Sequence, residues 1–600
     1  MHAALARPIA ALSILFGLPV LALTAASSRP SEAEQGEGST ILTVDFRALT
    51  RDGSPILDLK AEEVVLRVGG RARDIMALEL MRAVSPESAS SKAPAPMPPP
   101  FATNSPPAGG RDVLLVVDEE AMAPGGETAV RNALGQLVSA LSPIDRVALM
   151  PVKGGPALTS LTTRHDRVAA AIAALTGRAA AQETASDATC RARTNLFTLL
   201  GVFESIAVSV PTAVVFVSNG FTSPTAIESI ARGSGPAGPC EITTGDLETL
   251  SRAAVASRAH VFVLQVIDDA ASGAATRTTM VAGLEYLAGL TGNAVVRLIG
   301  GSERAVKRIA SETSAYYVAA FEVPAEERTG GTHRVEVTVA RQGVEVRARP
   351  TLVIPNATAK PAKTNPPKPR EMLGATKIFR ALPLRAIAYT SRLSPDGRLR
   401  VIVVFEPGDP SLRLAEAAVA LFDGSGKARA QWTAQPAELK QTPVIAALNG
   451  PAPGSYRVRV AAVDASGDGG TVDQDITVNA GKQETASVGD VVLGAQAANS
   501  FAPRLQFVSE PAAVALVEVL GPPKTAKVSA IFELAGSEDG PAVATLQGTV
   551  PAPREGLWTA FVVLPIGPMP PGDLVVRAVV SVDGQPLAAR PFRTLRKVAR

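Results

Sequence analysis

Signatures of catalysis are missing from this sequence. It has no Gly-x-Ser-x-Gly elbow, no His-Glu-x-x-His pair and no Gly-x-x-x-x-Gly-Lys-Ser/Thr loop. The nearest phrase, Gly424-Ser425-Gly426-Lys427, lacks the earlier glycine and the hydroxyl. Histidine is scarce. Beyond His2 there are only His165, His260 and His333, one before a helix and two at strand starts, and they share no constellation. A surplus charge is missing too: a net +3 gives no electrostatic argument for nucleic acid or an acidic membrane as partner. After the N-terminal segment no apolar run approaches the ~18 residues of a spanning helix, so no transmembrane segment is expected. Cysteine is limited to Cys190 and Cys240, a sensible disulfide pair in an oxidising compartment. Aromatics are 4% of residues, against 50 glycines and 48 prolines, a balance that suits short strands and many turns.

What is present begins with an export signal. His2 and Arg7 precede an apolar stretch from Ile9 to Leu23, and Thr24, Ala25 and Ala26 supply the small residues of a cleavage site, so residues 1–26 read as a signal peptide. Residues 40–84 read as strands: ILTVDFRAL, EEVVLRV and DIMALEL, with turns at Asp52-Gly53 and Gly69-Gly70. Residues 85–110 are a Pro/Ala/Ser linker.

From Arg111 the pattern changes to strands alternating with helices, which means a mostly parallel sheet covered on both faces. Val113–Val117 is a buried strand and Thr128–Leu141 carries apolar residues at helical spacing. Arg167–Leu175 and Asn195–Val208 are further helices, and Ala213–Val217 and His260–Ile267 further strands. Met280–Leu290 is a helix stopped by Gly292, and AYYVAAF closes an α/β unit over residues 111–322. Residues 323–354 return to strand alternation. Neither they nor the strands of 40–84 can bury a core alone, so the two sets are expected to share one sandwich of about six or seven strands. Residues 355–374 form a basic, proline-rich linker. Residues 375–481 and 482–600 read as two β-sandwiches in series. In the former, Asp464-Ala465-Ser466-Gly467-Asp468 looks like a fragment of a calcium loop without its downstream Glu, and a hairpin turn is the favoured reading.

The strand Val113–Val117 runs into Asp118, Glu119 and Glu120, an acidic tip at the edge where α/β sheets bind ligands. This segment resembles the von Willebrand factor A domain, whose first strand ends Asp-x-Ser-x-Ser and holds a divalent cation with a Thr and an Asp from two other loops. Here the motif reads Asp118-Glu119-Glu120-Ala121-Met122, Thr194 sits at the second-loop position, and Ser218-Asn219-Gly220 replaces the Asp-Gly of the third. The layout over Thr40 to Leu352 is similar to bacterial VWFA-related proteins, through Asp52-Gly53-Ser54-Pro55-Ile56, Leu59, Glu62-Glu63 and the hairpin end Arg347-Ala348-Arg349. The resemblance implies a degenerate metal-ion-dependent adhesion site at Asp118, Glu120, Thr194 and Asn219, with no cofactor or at most weakly held Mg²⁺ or Mn²⁺. It also implies that Cys190 and Cys240 lie on the same rim of the sheet.

The expected architecture is therefore α/β plus all-β, with a doubly wound sheet inserted beside one sandwich and two sandwiches after it. The expected function is that of an exported, non-enzymatic binding or adhesion protein, periplasmic or extracellular, with a protein partner and no strict metal dependence. A metal-dependent (Mg²⁺ or Mn²⁺) binding or sensor protein and a secreted enzyme are the alternatives.

Overall fold

The computed structural model describes residues 40–82, 99–105, 110–152, 159–180, 184–206, 212–221, 240–266, 274–298, 303–356, 368–375, 377–392, 398–478, 486–497, 500–554 and 556–599. The expected signal segment 1–26 lies outside them, as does most of the 85–110 linker. Among the described residues no helix is long and apolar enough to cross a membrane.

Most of the secondary structure is antiparallel β, beginning with β1 (Thr40–Leu49), β2 (Val64–Val68), β3 (Arg71–Arg73) and β4 (Ala77–Arg82). A short β5 (Ala102–Thr103) follows. The α/β unit then contributes β6 (Asp112–Val117), β7 (Arg146–Pro151), β8 (Thr159–Thr162), β9 (Thr212–Ser218), β10 (His260–Val266) and β11 (Val295–Leu298). Their order is β11-β10-β9-β6-β7-β8; all neighbours run parallel except β8, an antiparallel edge. Apolar residues alternate between two cores. Val113, Leu115 and Val117 face the helices Glu127–Ser139 and His165–Ala173. Val214, Phe216 and Val263 face the helices Ala185–Ser205, Thr244–Ser257 and Ala274–Gly289. Burial on both faces is why these strands read as unbroken apolar runs.

Two helices differ from the sequence reading. The one expected from Asn195 begins ten residues earlier, at Ala185, because Thr184 and Asp187 form a capping box that supplies its start. The helix Thr244–Ser257 was not anticipated, although Thr243 and Asp246 give the same signal. Gly292 does follow the helix Ala274–Gly289: its φ is +72°, and a Cβ there would lie 2.6 Å from the carbonyl oxygen of Ala348.

The next strands are β12 (Ala315–Val323), β13 (Thr332–Val339), β14 (Glu345–Ala348) and β15 (Thr351–Val353). They complete two four-stranded sheets with the N-terminal strands, β14-β1-β12-β4 and β15-β13-β2-β3, around Val44, Phe46, Leu66, Phe321 and Val335. Here the 111–322 boundary is corrected. AYYVAAF lies in β12, which pairs with β1 from Thr40↔Val323 to Phe46↔Tyr317 and is not a strand of the parallel sheet. Burial alternates along this strand, but its half-buried face carries the apolar Tyr316, Val318 and Ala320, with Tyr316 against His260 of the α/β unit, so its sequence mimics a parallel strand.

A second sandwich is built from β16 (Leu384–Ser391), β17 (Arg400–Pro407), β18 (Leu414–Asp423), β19 (Ala428–Thr433), β20 (Val444–Asn449), β21 (Gly454–Asp464) and β22 (Gly469–Val478). Both linkers are corrected at their ends. β5, inside the 85–110 segment, pairs with β16, and Asn104 donates to the carbonyls of Phe379 and Leu382 (both 2.9 Å). Within the 355–374 segment, Pro369–Gly374 is a helix that buries Met372 and Leu373 against Ala418, Phe422 and Val463. Asp464 caps the β21–β22 hairpin by accepting from Ser466 N and Asp468 N (2.9 Å each). A last unit holds ten strands from Ser487 to Lys597 in two five-stranded sheets around Phe507, Phe532 and Trp558.

Candidate functional site

The chain leaves β6 toward β7 on one side and reaches β9 on the other, so strand order reverses between β6 and β9. Asp118 sits at that point. Its backbone N–H continues the ladder to Val217 O (2.9 Å), and its side chain is fully buried. Oδ1 accepts from Ala121 N (3.2 Å), capping the 3₁₀ turn Glu119–Ala121. Oδ2 accepts from Arg191 Nη1 (3.0 Å), Asn195 Nδ2 (2.8 Å) and Ser218 Oγ (3.0 Å). Arg191 and Asn195 are one helical turn apart on Ala185–Ser205, which aims both at the same carboxylate. A buried carboxylate needs a positive partner and filled lone pairs, and Asp118 has both.

The four residues expected to converge on a cation do not do so. Thr194 is exposed, and its hydroxyl donates to Cys190 O (3.0 Å). The contact with Asp118 belongs to its neighbour Asn195, about 100° round the helix. Glu120 is exposed. Asn219 is half-buried, and its carbonyl accepts from Gln265 Nε2 (3.5 Å). Glu119, which was not singled out, is the buried acid: it accepts from Thr176 N (3.1 Å) and lies 3.8 Å from Arg178. Met122 is fully buried in the apolar core with Val130 and Leu134. Among the described residues no group of three or more His, Cys, Asp or Glu could hold a metal ion.

Sequence reasoning missed Arg191, Asn195 and Ser218. For Arg191 and Asn195 the signal is the Thr184–Asp187 cap, which starts the helix early enough to carry both, four residues apart, on one face.

Around this edge the surface is tied down. Cys190 and Cys240 form a disulfide with Cα atoms 4.7 Å apart, joining the helix Ala185–Ser205 to the segment before Thr244–Ser257. Arg193 donates to Glu241 O and lies 5.1 Å from the ring centroid of the exposed Phe197. Backbone N–H groups hold Glu127 below the usual carboxylate range, its own first and then those of Gly125 and Gly177. Thr243 does the same for Asp246.

A separate cavity of about 70 Å³ lies between the α/β unit and the second sandwich, walled by Asn104, Asp112, Arg146, Arg380, Arg459 and Asp473. Two of its three arginines fork onto its two aspartates, Arg146 onto Asp112 (2.8 Å twice) and Arg459 onto Asp473 (2.6 and 2.7 Å), while Arg380 donates to the carbonyls of Ser205 (2.8 Å) and Asn104.

No family model matches the chain, and no curated protein does either. Among solved structures, the fibronectin(III)-like modules of Clostridium thermocellum CbhA are 11% identical over 33% of this chain and 86% of theirs, with a TM-score of 0.12. Dimeric latent PorU from Porphyromonas gingivalis is 12% identical over 48% of this chain and 26% of its own, at 0.19. The C-terminal domain of the Streptococcus agalactiae AgI/II polypeptide BspA is 12% identical over 35% of this chain and 99% of its own, at 0.12. Likeness at this level carries no argument about activity.

Proposed function

We propose that this chain is an exported, non-enzymatic binding protein whose α/β unit is a von Willebrand factor A-like module working without a strictly required divalent cation. The observation that carries the reading is the contact between Arg191 Nη1 and Asp118 Oδ2 (3.0 Å) at the carboxyl edge of the sheet. A guanidinium there supplies the positive charge that a metal would otherwise bring, and it does so without hydration or exchange. The mostly parallel sheet with helices on both faces supports the module, and the Cys190–Cys240 bond supports an oxidising compartment. The sandwiches supply spacing and further surface for a protein partner. Calorimetry of the full chain with Mg²⁺ and Mn²⁺ is the test, and no heat of binding is expected. Micromolar binding that disappears in Asp118→Ala would replace this reading with the metal-dependent one.

A further inference from the structure

Two junctions of the α/β unit bury more arginine than carboxylate. At the amino edge of the parallel sheet, where the β14-β1-β12 sheet meets it, Arg47, Arg347 and Arg349 face Glu312 and Asp45, all with side chains at most 9% exposed. Arg47 and Arg347 reach Glu312 Oε2, at 3.0 and 3.8 Å, and Arg349 donates to Val255 O (2.6 Å). Nε of each of these arginines is sealed without an acceptor, and the small space nearby, bounded by Arg111, His260, Glu312 and Tyr316, is lined by none of the three. Sealed donors meet no ligand.

The junction with the second sandwich is different, because its arginines line the cavity of about 70 Å³ described above. Leu114, Ala148, Met150, Val202, Ile378 and Val472 give that cavity apolar walls. Most of the neutral polar groups around it are already engaged. Asn104 donates to Phe379 O and Leu382 O and accepts from Leu384 N (2.8 Å). Ser205 Oγ accepts from Ile378 N (2.8 Å), and Thr471 Oγ from Phe379 N (3.0 Å). Both carboxylates are engaged as well: Arg146 takes Asp112 with Nε and Nη2, and Arg459 takes Asp473 in the same way, with Nη1 on Ala375 O.

What remains is guanidinium. Nη2 of Arg380 and Nη1 of Arg146 have no acceptor among the described residues, and neither is sealed from water as Nε of Arg47 is. Three arginines against two aspartates leave the lining one positive charge in excess. Burial lowers Arg380 to about 10, opposed by Asp112 and aided by Arg146, which leaves it charged at neutral pH. A space with apolar walls and one unbalanced guanidinium suits a short apolar chain that ends in a carboxylate. At about 10–15 Å³ for each water-sized atom, the cavity of about 70 Å³ takes roughly five to seven of them.

We propose that this junction is a binding site for a small aliphatic monocarboxylate of about four carbons. Its carboxylate would lie on the free N–H groups of Arg380 and Arg146, and its alkyl chain along Leu114, Met150 and Val202. Bound there, it touches both units and fastens the second sandwich to the α/β unit.

Calorimetric titration of the full chain with sodium butyrate tests this, beside acetate, octanoate and butyramide at equal ionic strength. Butyrate should bind saturably, one molecule per chain. Each methylene from acetate to butyrate should tighten binding about four-fold. Octanoate, too long for the space, should lose that gain, and butyramide, which lacks the charge, should give no heat. Arg380→Met should abolish the butyrate signal. Ala148→Leu fills the space with the charges intact, and should abolish the signal while keeping the melting temperature. No saturable butyrate binding to the unaltered chain, or equal binding of butyrate and butyramide, would overturn the proposal. So would a heat that acetate, butyrate and octanoate share equally, or butyrate binding retained in Ala148→Leu.

Discussion

At the carboxyl edge of the parallel sheet one guanidinium, Arg191, meets one carboxylate, Asp118, and two neutral donors complete the set. At the amino edge three buried guanidiniums share two buried carboxylates and leave several N–H groups unmatched. Both edges bury charge, but only the first matches it one for one. The difference separates a pair whose loss strands a charge from a layer that tolerates the loss of one member.

The sharpest way to break this comparison is Arg191→Met. It leaves Asp118 buried without its positive partner and should cost about 3–5 kcal/mol in chemical denaturation. Adding Asp118→Asn to that variant should recover much of the loss, since no ion then remains. A cost below about 1 kcal/mol would mean that Asn195 and Ser218 suffice for the carboxylate. Next in size is the disulfide beside the same edge. Replacing Cys190 and Cys240 with Ser opens a loop of 50 residues and should cost about 2–4 kcal/mol. Equal denaturation midpoints for the unaltered chain with and without reductant would contradict it.

At the amino edge, Arg349→Met should cost less than about 2 kcal/mol, because losing one guanidinium relieves repulsion even as it strips Val255 O and Asp45 of a partner. A loss as large as that of Arg191→Met would erase the contrast between the edges. The smallest effect concerns pH. Burial, then Arg47 and Arg349, hold His260 well below its ordinary pKa in the folded chain. The unfolded chain takes up that proton near pH ~6.5, so the stability from neutral His260 is present above that value and is lost as pH falls below it. The melting temperature should therefore drop between pH 7.5 and 5.5, and His260→Asn should shrink the drop. Identical slopes in the two proteins would show that other groups govern that window.

Much of the framework was legible because it depends on local pattern. The apolar run Val113–Val117 ending in Asp118 marked a strand and its tip. The turns at Asp52-Gly53 and Gly69-Gly70 separated strands, and Gly69 and Gly70 have positive φ. The β12 error has a physical origin: burial alternates along Ala315–Val323, but the half-buried positions carry Tyr316, Val318 and Ala320, so the sequence shows an apolar run where the structure has one buried face. A motif aligns residues in one dimension and points to Thr194, whereas a helix turns successive residues about 100° apart and presents Asn195 to Asp118. The Arg347-Ala348-Arg349 phrase was visible as a match, but its work of facing the α/β unit was not.

By itself the sequence determined the alternation of apolar runs and turns, the acidic end of β6, the scarcity of histidine and the cysteine pair. These are properties of neighbours along the chain, set by backbone geometry and by the burial each segment demands. Tertiary structure alone decided that Asp118 receives Arg191, that Arg47 lies opposite Arg347, and that β5 joins a sandwich some 280 residues downstream. Each of these is a charge or a hydrogen bond satisfied by a residue far away in sequence. Local pattern states that a buried charge needs a partner; only packing selects which one arrives.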